Sequence, residues 1–168
     1  ALRLQETMAD EMDSDLVEST AHSGARPSHA KWQGKVFSRS GKSKKYPDFR
    51  RATGYGTGPG LGGWNCRHSF HPYFEGMART YGDRELQRLE EKTITYNGEK
   101  LTEYEASQRQ RYMERQIRRW KREQQAMKAA GQPQEEARAK LKQWRALQSD
   151  FVEQTGLKRQ YDRERVGG

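Results

Sequence analysis

Thr93-Ile94-Thr95-Tyr96-Asn97-Gly98-Glu99-Lys100-Leu101 runs directly into Thr102-Glu103-Tyr104-Glu105. Asn97-Gly98 lies between β-forming residues, and an Asn-Gly pair suits a type I′ turn because both of its central residues take positive φ. A β-hairpin is predicted over 93–101. Such a ribbon is marginal alone and must pack on something else. Thr102 followed three residues later by Glu105 is a capping box, so a helix is expected from about 103 to 130. Its apolar stripe is Ala106, Met113, Ile117, Trp120 and Met127. Gly131 stops it, and Pro133 suits the start of a second helix. That helix, ended by Gly156, carries Ala137, Leu141, Trp144, Leu147 (or Gln148) and Phe151 at helical spacing. Two long amphipathic helices with a short join make a helical hairpin over 102–156. Residues 157–168 are expected to be a flexible tail.

Upstream, Leu2, Leu4, Met8, Met12 and Leu16 recur every few residues with acids between them. This predicts a helical lead-in over 1–20. Ser23-Gly24 and Pro27 break that pattern. A turn and a short strand around Val36-Phe37 follow. Residues 54–63 contain six glycines, a loop that is ordered only if something packs on it. Residues 21–92 are thus expected to form a small α+β module rich in His, Cys and Gly, with a core around Trp32, Phe37 and Trp64. The fold class is α+β, the Gly-rich module and β-hairpin preceding the long αα-hairpin. Two phosphate-loop look-alikes fail on context. Gly41-Lys42-Ser43 has Val36 where the upstream glycine is needed. Gly58-Pro59-Gly60-Leu61-Gly62-Gly63 follows no buried strand and opens no amphipathic helix.

Hydrophobic residues make up 32% of the 168 and charged residues 33%, so the core covers only part of the length. The 4 Trp and 8 Tyr nevertheless argue against a wholly disordered chain. No apolar run approaches the ~18 residues needed to cross a membrane. Net charge is +9 and unevenly spread. The first twenty residues are acidic, whereas 26–51 carry nine bases and one acid, Asp48. Lys42, Lys44, Lys45, Arg50 and Arg51 interleave there with Tyr46 and Phe49, and Arg111, Arg115, Arg118, Arg119 and Arg122 crowd the first long helix. These are the candidate contacts to nucleic acid or to an acidic protein face. The alternative is a solvated face with i, i+4 pairs such as Glu114–Arg118.

All four histidines and the single cysteine fall between 22 and 71: His22, His29, Cys66, His68 and His71. One cysteine permits no intrachain disulfide and fits a reducing compartment. Three readings stay open. The cluster is a hydrogen-bonded structural group, with Asn65 and Arg67 bracing the glycine loop. Alternatively it is a metal site, zinc being the cofactor its ligand types suit, although Cys-x-His-x2-His is not a standard zinc spacing. Or it is catalytic, with His29 and His68 as base and acid and Arg26 or Arg67 on a phosphate.

Two segments go beyond composition: His22-Ser23-Gly24-Ala25-Arg26-Pro27-Ser28-His29-Ala30-Lys31-Trp32-Gln33-Gly34-Lys35-Val36-Phe37-Ser38, and Tyr46-Pro47-Asp48-Phe49 continuing through Thr53-Gly54-Tyr55-Gly56 to Gly60-Leu61-Gly62-Gly63-Trp64-Asn65-Cys66-Arg67-His68. With Gln116-Ile117-Arg118-Arg119-Trp120-Lys121-Arg122 and Gln154-Thr155-Gly156-Leu157-Lys158 downstream, they resemble the phage minor capsid protein 2 family. Arg26-x2-His29, Gln33-Gly34 and Asn65-Cys66-Arg67 are also similar to the Mu F-like head morphogenesis domain, which often ends Asn-Cys-Arg-Cys where this chain has His68. The resemblance implies a structural minor capsid protein in the head of a tailed phage or prophage, near the portal and present in host cytoplasm during assembly. It would bind portal or capsid subunits, contact packaged DNA non-specifically and engage no membrane. The alternative is a phage-encoded effector, a nuclease-like toxin using the His/Cys/Arg cluster. Relatives carry a long region before this module and residue 1 is Ala, so a processed chain or a piece of a longer protein is expected.

Overall fold

Phe37, Phe49, Tyr55 and Phe70 pack ring against ring, with centroids 4.9–6.2 Å apart, in the core of the first half of the chain. A computed structural model describes residues 2–167 and divides into two units, residues 1–91 and 92–168.

In the first unit, α1 (Leu2–Glu11) is followed by β1 (Leu16–Ser19), α2 (Pro27–Ala30), β2 (Val36–Ser38), α3 (Phe49–Thr53), β3 (Phe70–Tyr73) and α4 (Asp83–Leu89). The sheet is antiparallel in the order β2-β1-β3, with Val17 opposite both Phe37 and Pro72. Ala9, Val17, Trp32, Phe37, Phe49, Leu61 and Phe70 form the core, with Leu2 and Tyr55 packed on it. The strand expected at Val36-Phe37 is β2.

The expected helix over 1–20 stops at Glu11, and residues 16–19 are instead the central strand of the sheet. Asp13 takes a positive φ of 50°, which no helix interior accepts. Past it, Val17 reaches the core with the period of a strand. Glu18, which looked like solvent-facing charge, is buried. Its carboxylate accepts from the backbone N–H of Thr80 (2.9 Å), the Thr80 hydroxyl (2.9 Å) and His71 Nε2 (3.1 Å). A buried carboxylate is tolerable only when satisfied in this way. The module therefore begins before residue 21. Trp64, expected in the core, is 74% exposed.

The glycine loop holds itself together. Asp48 caps α3 by accepting from the Arg51 N–H, and Gly54 ends it in the left-handed region. The Leu61 N–H then donates to Thr53 O at 3.0 Å and the Trp64 N–H to Gly58 O at 2.6 Å. Gly60 lies directly against the Gly54 backbone, leaving no space for a Cβ. Several of the loop's backbone donors thus bind carbonyls of the loop itself or of the end of α3.

In the second unit, β4 (Ile94–Tyr96) pairs with β5 (Glu99–Leu101). Asn97 and Gly98 both have positive φ, 48° and 79°, as the Asn-Gly turn requires. The Thr102–Glu105 capping box is present in both directions and opens α5 (Glu103–Ala129). The helix α6 (Glu135–Thr155) returns antiparallel to it and ends at Gly156 in the left-handed region. Tyr96, Leu101, Ala106, Met113 and Phe151 form the core. Gln148, not Leu147, takes the inward position. After α6, residues 158–164 make contacts within the second unit. Gln110 Nε2 donates to Lys158 O at 2.8 Å, and a 3₁₀ turn over Tyr161–Glu164 buries Glu164 on Arg159 (2.8 Å).

Glu114 is buried at 1% exposure, its Oε1 has no hydrogen-bond partner, and Arg163 approaches no closer than 3.9 Å. Burial holds its carboxyl above the ordinary carboxylate range, and Arg163 only partly offsets this. A raised folded-state pKa means that the folded state binds the proton more tightly than the unfolded chain does. Its contribution to stability is therefore full below the ordinary carboxylate value and is lost as pH rises through the folded value. Glu114→Gln is expected to melt higher than the parent at about pH 8 and close to it at about pH 4. Thermal unfolding at the two pH values checks this. Equal shifts at both would contradict it.

Candidate functional site

Pro27 starts the single turn of α2 and places His29 in its interior, where the imidazole is 2% exposed. The chain leaves the glycine loop through Asn65, whose positive φ of 53° turns the backbone so that Cys66 and His68 come back toward α2. His68 is 4% exposed and Cys66 half-buried. His29 Nδ1 and His68 Nδ1 lie 3.4 Å apart, and Cys66 Sγ is 3.7 Å from each. All three donor atoms fall within 4.8 Å of one another.

Both rings are fixed from behind. His29 Nε2 donates to the Pro59 carbonyl at 2.8 Å. His68 Nε2 lies 3.0 Å from Gln33 Oε1, which also accepts the His22 backbone N–H at 3.1 Å. Trp32 packs against both imidazoles, at centroid distances of 4.6 and 4.8 Å. Burial, with the Arg67 and Arg26 guanidiniums nearby, pushes His68 down to about 3. Burial likewise lowers His29 against the opposing pull of the Pro59 carbonyl. Both rings are therefore neutral at physiological pH. On its outer side, His29 joins Trp32, Phe37, Pro47, Thr53 and Pro59 along a groove of about 440 Å³.

The remaining expected site residues are elsewhere or differently used. His22 stacks on His68 with centroids 4.1 Å apart, and its Nδ1 lies 2.8 Å from its neighbour's carbonyl, Ser23 O. It is not one of the converging donors. His71 sits on β3 and is engaged by Glu18 and Thr80. Arg26 donates to Trp64 O at 2.5 Å, so it holds the exit of the glycine loop. Arg67 is exposed and reaches His22 at 3.5 Å. Such burial leaves little of His29 or His68 open to an external phosphodiester. Gln33 and the Pro59 carbonyl, which orient the two histidines, went unassigned from sequence. Gln33 stands one helical turn after His29 and beside it in the Arg26-x2-His29, Gln33-Gly34 pattern, the two signals that it shares the site.

The basic residues divide by environment. Lys45 pairs with Glu75 at 2.6 Å, and Arg50 lies 3.7 Å from Glu6. Lys42, Lys44 and Arg51 are exposed, with no carboxylate partner among the described residues. On α5, Arg118 turns back to the Arg163 carbonyl. Arg111, Arg115, Arg119 and Arg122 are all exposed, and their spacing of 4, 4 and 3 puts them on one face. Arg115 lies over the Tyr112 ring and Arg119 over Trp120, at 5.8 and 5.4 Å. The alternative pair Glu114–Arg118 is not formed, because Glu114 points inward.

A structural protein of Lactococcus phage LL-H is 33% identical over 157 residues, covering 89% of this chain and 39% of that protein. The chain thus spans well under half of that relative's length. A structural protein of Lactococcus phage mv4 is 34% identical over 116 residues, covering 67% of this chain and 86% of that protein. No solved structure matches. No helix among the described residues is long and apolar enough to cross a membrane. The family described as phage minor capsid protein 2 matches residues 1–153, and the chain belongs to that family.

Proposed function

We propose that the chain is a portal-proximal structural component of the phage head that binds portal or capsid subunits and lies against packaged DNA. Family membership and the two relatives, both described as structural proteins, support the structural role. The arginine row on α5 carries the DNA contact. Arg111 to Arg122 spans eleven residue steps, a rise of ~16 Å along the helix, and duplex DNA presents one phosphate charge per ~1.7 Å of its axis. Four guanidiniums on one face therefore meet a dense line of phosphates without needing any particular base sequence. Nothing in the row supplies a groove-reading motif, so binding should be insensitive to sequence.

The expected result is a plot of log affinity against log salt that falls linearly for DNA of any sequence. Replacing Arg111, Arg115, Arg119 and Arg122 together by Ala should reduce the slope by about 3–4, roughly one for each phosphate that is no longer neutralised. Fluorescence anisotropy with two unrelated duplexes measures it. An unchanged slope in the quadruple variant would remove the α5 face from the interface. Binding of immobilised portal and coat subunits by the purified chain tests the protein contacts, and failure to retain it on either would count against them.

A further inference from the structure

Two acceptor atoms face each other in the His29/His68 pair. The Pro59 carbonyl can only accept, so the hydrogen of neutral His29 sits on Nε2 and its Nδ1 presents a lone pair. Gln33 Oε1 already accepts a backbone N–H, which fixes that amide as an acceptor toward His68 Nε2. The hydrogen of neutral His68 therefore also sits on Nε2, and its Nδ1 too presents a lone pair. Two lone pairs 3.4 Å apart do not bond to each other. The Cys66 thiol has one hydrogen and can satisfy only one of them. One nitrogen is therefore left a buried acceptor without a partner, which is costly, and three ligand atoms converging within 4.8 Å call for a cation between them.

The spacing identifies the cation. Zinc binds imidazole nitrogen at about 2.0–2.1 Å and thiolate sulfur at about 2.3 Å in tetrahedral geometry. Tetrahedral angles then place two nitrogens ~3.3 Å apart and nitrogen and sulfur ~3.6 Å apart. The chain shows 3.4 Å and 3.7 Å. The hydrogen bonds from both Nε2 atoms to oxygen acceptors are the outer support that zinc-binding histidines ordinarily have.

We propose that His29 Nδ1, Cys66 Sγ and His68 Nδ1 bind one zinc ion, with the fourth position left to a water or to a donor from outside this cluster. On binding, the Cys66 thiol gives its proton to solvent as the zinc–sulfur bond forms, and no redox change occurs. The ion would fasten α2 to the segment leaving the glycine loop, residues 29 and 68 being 39 apart in sequence.

The test uses the whole 168-residue chain stripped of metal by chelator. Cobalt(II) substituted for zinc should give a thiolate-to-metal charge-transfer absorption that saturates at one ion per chain. The absorption should disappear in Cys66→Ser and persist in His71→Ala, a histidine outside the cluster. Cys66 is the only thiol, so its alkylation gives a second readout that needs no variant. Zinc should slow it by at least about tenfold, and chelator should restore the rate. A folded parent chain showing no charge-transfer band, with alkylation indifferent to zinc, would overturn the proposal.

Discussion

Gly60→Ala is expected to destabilise residues 2–91 strongly. The new methyl group would overlap the Gly54 carbonyl oxygen and its carbon. Neither is the movable end of a side chain. Relief requires separating the end of α3 from the loop that carries Leu61 into the core. Overpacking that moves backbone costs about 1–3 kcal/mol, occasionally more, a large share of a small domain's stability. That separation also frees the Pro59 carbonyl from His29, so the His/Cys cluster should loosen with the loop. Gly82→Ala is the matched control, since nothing lies within 4 Å of its added carbon. Hydrogen exchange read by segment decides it. Residues of β1, β2 and β3 should lose protection in Gly60→Ala and keep it in Gly82→Ala. Equal protection in the two variants would contradict the close approach described.

Phe151→Ala should have the largest effect in the second unit. Phe151 is fully buried on α6, its ring centroid 4.8 Å from that of Tyr96 on β4, and Leu101, Ala106 and Met113 complete its surroundings. Truncating a buried phenylalanine costs about 3–5 kcal/mol. The hairpin β4–β5 has little stability of its own and should detach as this packing disappears. Denaturant unfolding followed through protection of the 94–101 amides checks this. Retention of hairpin protection in the variant would show that the ribbon does not depend on Phe151.

The second unit was legible because its determinants are local. Asn97-Gly98, the Thr102–Glu105 box and Gly156 each act within a few residues, and the apolar stripes name the face that packs. The first unit was legible only where this held, as at Val36-Phe37. Leu4, Met8 and Met12 continue a helical spacing into Leu16, but the chain leaves the helix at Asp13 and all three side chains are exposed. The strand β1 is specified by partners 20 and 55 residues away, Phe37 and Pro72 opposite Val17, which no local window contains. Glu18 misled for the same reason, its hydrogen-bond donors lying at 71 and 80. The concentration of His and Cys between 22 and 71 flagged the site, but it did not separate His29, Cys66 and His68 from His22 and His71. That separation depends on β3 turning His71 to Glu18 and on His22 Nδ1 lying at Ser23 O, which the spacing does not show.

A structural part of a phage head stays with purified particles. Mass-spectrometric quantification of the chain in heads from a phage or induced prophage that encodes it, against the coat protein as internal standard, should find a low, constant number of copies per head, unchanged by high-salt washing that strips loosely bound DNA-binding proteins. Heads that lack the chain while it stays free in the lysate would contradict the structural role.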